Sequence, residues 1–337
     1  MSREADQTMI NATKGRADLW IAGLVLIATI AMVASYFSPI WWVSLTAPNY
    51  PKDAFPDGIR IQFHFNGVYN GCRVVTGASQ HQNEILQQDI SGSEERYNPI
   101  LDASRNMNRG AQGLDCVHEM NTINHYVGMF PIETGAPVER PMSKFFIAFF
   151  VIMLASFILP SRRQGLVILC AGFAALTAWM LVDLYAQGHL AQFVQQYQEG
   201  AGTYFKEPER LHLWGERLTF ALNATVVGLI VAMIVLILGT WRIRNFSLLL
   251  ALVPALLPFF FVFDYAGWLW FFGHNLHPWG AFTVKPFMPT VFGEGKVAQF
   301  STYSYPYWGF ALLLIVFLAL VPATLLRRRQ LREAMPA

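Results

Sequence analysis

Charge is what this chain has least of. Only 14% of its 337 residues are Asp, Glu, Lys or Arg, whereas 54% are hydrophobic. That balance, with a mean hydropathy of +0.35, is the profile of a polytopic membrane protein with some polar structure outside the bilayer. Cysteine is scarce too, at 3 residues, and none forms a CxxC pair or a CxxCH haem attachment. The chain has no Walker A loop, no GxSxG elbow and no HExxH helix, which removes the nucleotide, hydrolase and zincin chemistries those motifs write. "GEGK" at 293–296 lacks the Walker spacing and reads as a turn. Carboxylates such as Glu119 and Glu133 stand near histidines, but no pair is placed for acid–base work, so no catalytic residue is assigned and the chain reads as non-enzymatic. The net charge is +2 and the basic residues sit in short clusters beside apolar runs, so nothing points to nucleic acid.

Long apolar runs are what the chain has instead. Six are long enough, or nearly so, to cross about 30 Å of hydrocarbon, near 19–43, 145–160, 165–185, 218–240, 246–272 and 305–326. The fifth carries Pro254 and Pro258 and is expected to kink. The fold expected is therefore an all-α polytopic membrane protein of about six transmembrane helices with a small extracytoplasmic α/β or β cap. Lys14 and Arg16, Arg162 and Arg163, Arg242 and Arg244, and Arg327, Arg328, Arg329 and Arg332 fall on one side. The positive-inside rule makes that side, with both termini, cytoplasmic. The division is then a tail at 1–17, a first span at 18–44, a cap at 45–143, a five-helix region at 144–326 and a tail at 327–337. Outer loops occupy 186–217 and 273–304. Trp41, Trp42, Trp268, Trp270, Trp279, Tyr305, Tyr307 and Trp308 gather at the outer rim and read as an interfacial belt.

Within the cap, Ile59, Ile61, Phe63 and Phe65 alternate with polar residues, the pattern of a half-buried strand, and Asn66-Gly67 is a hairpin signal. Residues 76–114 are polar and read as a loop or weak helix. Cys72 and Cys116 share the outer loop, where an oxidising compartment favours a disulfide. Cys170, inside the third span, reads as a small buried apolar residue.

A weak repeat of 81 residues relates Arg163 and Asp183 to Arg244 and Asp264. Each aspartate lies about 18 residues past the cytoplasmic entry of its span, which at 1.5 Å per residue places it about 27 Å in, near the outer interface. Lys144 and Arg217, at the outer starts of two spans, are candidate ion-pair partners for this rim; a proton or ion path is the alternative reading.

All 8 histidines fall on the outer side. In "DCVHEMNTINHYVGM" at 115–129, a helix would put His118, His125 and Met129 on one face, a soft set suited to copper. A strand would separate them, and Asn121, Asn124 and Gly128 weaken the helix. Histidines held by hydrogen bonds in a capping loop are the plainer alternative.

The stretches "WWVSLTAPNYPKDAFPDGIRIQF", "INHYVGM", "FGHNLHPWGAFTVKPFMPTVFGEGKVAQF" and "SYPYWGF" resemble a group of bacterial inner-membrane proteins with NHYxGM and FGHN motifs. Some of these are associated with copper-enzyme accessory genes, notably for nitrous-oxide reductase maturation. The resemblance implies an envelope accessory role in copper handling, with His125, Met129 and His274 as metal ligands. His277 stands where the group's pattern has an acidic residue, and the Cys116–Glu119 stretch departs from it as well, so His118, His277 and Cys116 are set aside. The function expected is an inner-membrane accessory protein that handles copper, or assists copper-enzyme assembly, at the periplasmic face. Its partners would be the bilayer and a periplasmic copper enzyme or other envelope proteins. The alternatives are a small-solute or ion transporter and a structural subunit of an envelope complex.

Overall fold

The computed structural model describes residues 2–48, 50, 52, 55–72, 115–281, 284–297 and 299–333. The expectations for 76–114, and for His81, concern residues outside this set. In chain order the elements are α1 (Ser2–Tyr36), β1 (Trp41–Thr46), β2 (Ile59–His64), β3 (Gly67–Asn70), α2 (Cys116–Tyr126), α3 (Glu139–Ile158), α4 (Arg162–Leu181), α5 (His189–Tyr204), α6 (Pro208–Arg242), α7 (Leu249–Ala255), α8 (Leu257–His274), β4 (Gly293–Val297), β5 (Phe300–Pro306) and α9 (Trp308–Glu333).

Five helical segments are long and apolar enough to cross a membrane: Gly15–Tyr36, Ile132–Ile158, Arg162–Ala186, Pro208–Arg242 and Trp308–Glu333. Arg244–Ala255 and Leu257–His274 pass the same test only when taken together; bent by 54°, they are one broken span or a re-entrant loop, for five crossings or up to six. The bend sits at Leu256, between Pro254 and Pro258, where missing amide donors open the helical ladder. One face of each helix packs into a common core, including Ile21, Met32, Phe145, Met153, Leu169, Phe173, Leu229 and Leu313. The opposite faces leave Leu26, Phe220, Phe263 and Leu318 exposed, as a lipid-facing surface requires.

The first apolar run does not stay helical to residue 43. Helix α1 stops at Tyr36, and Trp41–Thr46 is a strand. Pro39 bars the helix from continuing, and the Ser35 and Ser38 hydroxyls donate to the Met32 and Ala34 carbonyls of its last turn. Strand β1 then becomes the centre of a five-stranded antiparallel sheet of order β3-β2-β1-β5-β4. The cap is thus assembled from both sides of the chain. Strands β4 and β5 come from the region expected to be a separate outer loop and the start of the last span, which begins at Trp308 rather than 305.

Strand β2 has the expected alternation, with Ile59 and Ile61 fully buried. Its hairpin to β3 turns through Phe65-Asn66, one residue earlier than the Asn-Gly signal, because Gly67 pairs with His64. Trp41 is not part of an interfacial belt. It is 3% exposed, at the heart of the cap core, and its Nε1 donates to Ser304 Oγ at 2.8 Å.

Two further expectations are corrected. Region 186–217 is helical: α5 and the opening turns of α6 pack against each other, with Leu190, Val194, Tyr197 and Ala201 buried along one stripe. Cys170 is exposed on the flank of α4 rather than buried.

Candidate functional site

Cys72 and Cys116 form the disulfide, with Cα atoms 6.0 Å apart. It ties the end of β3 to the start of α2, whose N-cap Asp115 accepts from the amides of Val117 and His118. Helix α2 is real despite its asparagines. Asn121 and Asn124 are buried, and Asn121 Oδ1 accepts from the Ile132 and Glu133 amides. These bonds to the chain beyond the helix offset the weak intrinsic propensity.

Gly128 ends this segment in the left-handed region, at φ 79°. Its carbonyl accepts from the His277 amide at 2.6 Å, and a Cβ built on it would lie 2.5 Å from the His277 carbonyl oxygen. The "INHYVGM" and "FGHNLHPWG" stretches therefore meet backbone to backbone, and only glycine allows the approach.

The three candidate metal ligands have different surroundings at this junction. His125 lies among Tyr126, Tyr204 and Phe205, with Nδ1 buried and without a hydrogen-bond partner. Met129 is 7% exposed and faces a cavity. His274 is exposed, stacked on Trp270, with Nδ1 2.8 Å from the Trp270 carbonyl. The histidine that sits on Phe205 beside His125 is His277, whose ring stacks on Phe205 at 4.2 Å. Its Nδ1 accepts from the Trp279 amide at 3.1 Å, and its Nε2 lies 3.2 Å from a Glu207 carboxylate oxygen. Burial holds His125 below the ordinary histidine range. His277 is pushed the same way by burial first and by Arg210 next, against the pull of Glu207. Among the described residues, no group of three or more His, Cys, Asp or Glu is arranged to hold a metal ion.

The rim charges separate as well. Lys144 Nζ lies 2.6 Å from Asp183 Oδ2, and His189 Nδ1 lies 3.2 Å from the other oxygen of that carboxylate. Asp183 sits in a widened helical turn, Val182–Ala186, that follows α4. Arg217 lies over the Trp214 ring, 5.4 Å from its centroid. Asp264 has a different kind of neighbour, the carboxyl group of Glu139, and both line one cavity. Trp268 Nε1 donates to Glu139 Oε2 at 2.9 Å.

This carboxyl pair opens onto a cavity of about 360 Å³ at the seam between cap and bundle. Its roof comes from β2, β3 and the Met129–Phe130 corner, and its walls from α3 and α8. Phe146, Ile147 and Phe150 line one wall; Leu257, Phe260 and Phe261 line the other. The lining runs along α8 from Leu257 to Phe272, about 22 Å at 1.5 Å per residue. Polar groups gather at one end: Glu139, Asp264, Trp268, Ser143 and Arg140, whose guanidinium donates to the Glu133 carbonyl at 3.0 Å. His64 also faces the cavity, and burial pushes it down to about 4, so it is neutral at pH 7. The arrangement is amphipathic: a long aromatic trough with hydrogen-bonding groups at its cap end.

Compared with known proteins, the chain matches no protein-family model, no curated protein and no solved structure.

Sequence reasoning found Asp264 but not Glu139, and it treated the aromatics as a belt. A carboxylate flanking a span, 125 residues before one inside a span, carries no spacing signal. Only the fold, which sets α3 and α8 as walls of one cavity, brings them together.

Proposed function

We propose that this is a multi-pass inner-membrane protein that takes up a bilayer-derived amphiphile in the cavity between α3, α8 and the cap. The carrying observation is the amphipathic lining, apolar along α8 and polar at Glu139, Asp264 and Trp268. Its volume of about 360 Å³ falls within the usual range for small-molecule sites. Phe260 lines the cavity and is also 47% exposed on the bundle flank, which supports entry of a chain sideways from the lipid. In the positive-inside orientation the arginine-rich end is cytoplasmic and the cap is periplasmic. The polar head of the ligand would then lie near the periplasmic interface.

The test is solvent extraction of the purified full-length protein followed by mass spectrometry. The wild type should retain an amphiphile in stoichiometric amount, and an Ile147→Trp variant, which fills the trough, should not. Equal recovery from both would sink the reading.

Copper handling is a second reading, supported by the resemblance and by His125, whose buried Nδ1 has no hydrogen-bond partner next to the Gly128–His277 junction. Elemental analysis of protein from its native membrane tests it. Copper bound equally by wild type and by a His125→Ala, His274→Ala variant would exclude the proposed ligands. Transport is favoured by one feature, the broken crossing at Leu256, since interrupted helices mark many transporter sites. Proteoliposome flux unchanged by Asp264→Asn would count against it.

A further inference from the structure

The opposite end of the bundle holds a second cavity, also about 360 Å³, where the ends of α3, α6 and α9 meet the start of α4. Its character is the reverse of the first. Arg162, Arg244 and Arg327 line it, opposed by one carboxylate, Asp18. Arg327 is held in place: it lies 3.3 Å from Asp18 Oδ1 and donates to the Phe157 and Ile158 carbonyls at 3.1 Å. Arg162 is likewise fixed, through Nε to the Thr240 carbonyl at 2.8 Å. The exposed Arg244 stands at the mouth.

Two further features face this cavity. Helix α4 starts here, with its positive dipole end toward the cavity, and its N-cap, Ser161, makes no side-chain capping bond. Thr240, 4% exposed, lines the cavity with its Oγ1 buried and without a hydrogen-bond partner. A buried hydroxyl in that state lacks an acceptor or donor that a ligand can supply. Arg162 and Arg327 donate to protein acceptors and supply fixed positive charge, while the exposed Arg244 and the unpartnered Thr240 hydroxyl are left to meet an oxyanion. Asp18 is engaged by Arg327 and by Gln330 Nε2 at 3.1 Å, which leaves the cavity's balance positive.

We infer that this cavity binds a phosphate-bearing anion, and that its source is the headgroup of an anionic phospholipid in the leaflet at the arginine-rich end. Basic pockets between helices on that side of a membrane suit such headgroups. The site is independent of the amphiphile cavity and stands without it.

The experiment places the full chain in nanodiscs of phosphatidylcholine alone, of phosphatidylcholine with phosphatidylglycerol, or of phosphatidylcholine with millimolar inorganic phosphate. Thermal unfolding and bound-lipid counting by native mass spectrometry are the readouts. The wild type should be stabilised by phosphatidylglycerol and retain one such lipid through detergent exchange. Arg244→Gln and Thr240→Val should lower its retention, by about ten-fold for the arginine. Both should unfold like the wild type in phosphatidylcholine, which separates lost binding from lost folding. Protection by phosphatidylglycerol without protection by inorganic phosphate assigns the lipid; protection by both keeps the phosphate site but overturns the lipid as its source. Retention that is the same in wild type and both variants overturns the proposal.

Discussion

Removing the Cys72–Cys116 bond is the perturbation whose cost follows most directly from the chain. The two residues are 44 apart in sequence. Chain-entropy reasoning puts the loss at 2.1 + 1.5R ln n cal/mol/K, which for this loop is about 4 kcal/mol at 25 °C. Cys116 is fully buried in the cap core, so Cys116→Ala adds a small packing loss, and Cys72→Ser keeps a polar group beside the Gly58 carbonyl. The cost should fall on the cap alone. Hydrogen exchange in lipid nanodiscs reads it by region: the slowest amides of β2 and α2 should lose about 4 kcal/mol of protection in the double variant, and similarly in wild type under reductant. The amides of α3, α4 and α6 should keep theirs. A loss below about 1 kcal/mol in β2 and α2 would refute the reasoning, as would an equal loss in the spanning helices.

Other outcomes are expected from single contacts. Gly128→Ala should cost about 1–2 kcal/mol for its left-handed backbone, plus the clash with the His277 carbonyl, and should release Trp279, visible as a fluorescence shift. Asp183→Asn should cost about 1–2 kcal/mol in chemical unfolding, less than a fully buried pair because Lys144 is 36% exposed. Acid should weaken the cap: His64 has its folded pKa depressed to about 4, so its contribution is complete above about 6.5 and is lost as pH falls through about 4. A His64→Gln variant should show a flatter pH–stability curve for cap unfolding over that window. Trp41→Ala should destabilise the cap by about 3–5 kcal/mol, measured by the same regional exchange.

The membrane fold was legible because hydropathy needs no partner: each apolar run announces itself. The run beginning at residue 19 misled because Trp41 and Trp42 are apolar in a strand as much as in a helix, and the decisive residue was Pro39. The cap was half legible. Alternation at Ile59 and Ile61 marked β2, but nothing local says that β1 pairs with Ser301–Pro306, some 260 residues away. Helix α5 was legible and overlooked, since Leu190, Val194, Tyr197 and Ala201 repeat at helical spacing. The Cys72–Cys116 bond was readable from shared location. The cavity was not, because its roof, two walls and carboxyl pair come from segments far apart in the chain. The contact of "INHYVGM" with the chain just past "FGHN" rests on a glycine carbonyl and the His277 amide, which no local pattern announces.

The central claim is that the seam cavity selects an amphiphile from the bilayer. A photo-crosslinking amino acid placed at Phe146, inside the trough, tests it most directly against the same probe at Phe220, which is 76% exposed on the bundle flank. After illumination in native membranes, Phe220 should capture the bulk lipids in proportion. Phe146 should capture a restricted subset, and Ile147→Trp should abolish that capture. The bulk lipid profile at both positions, or no adduct at Phe146, would contradict the account.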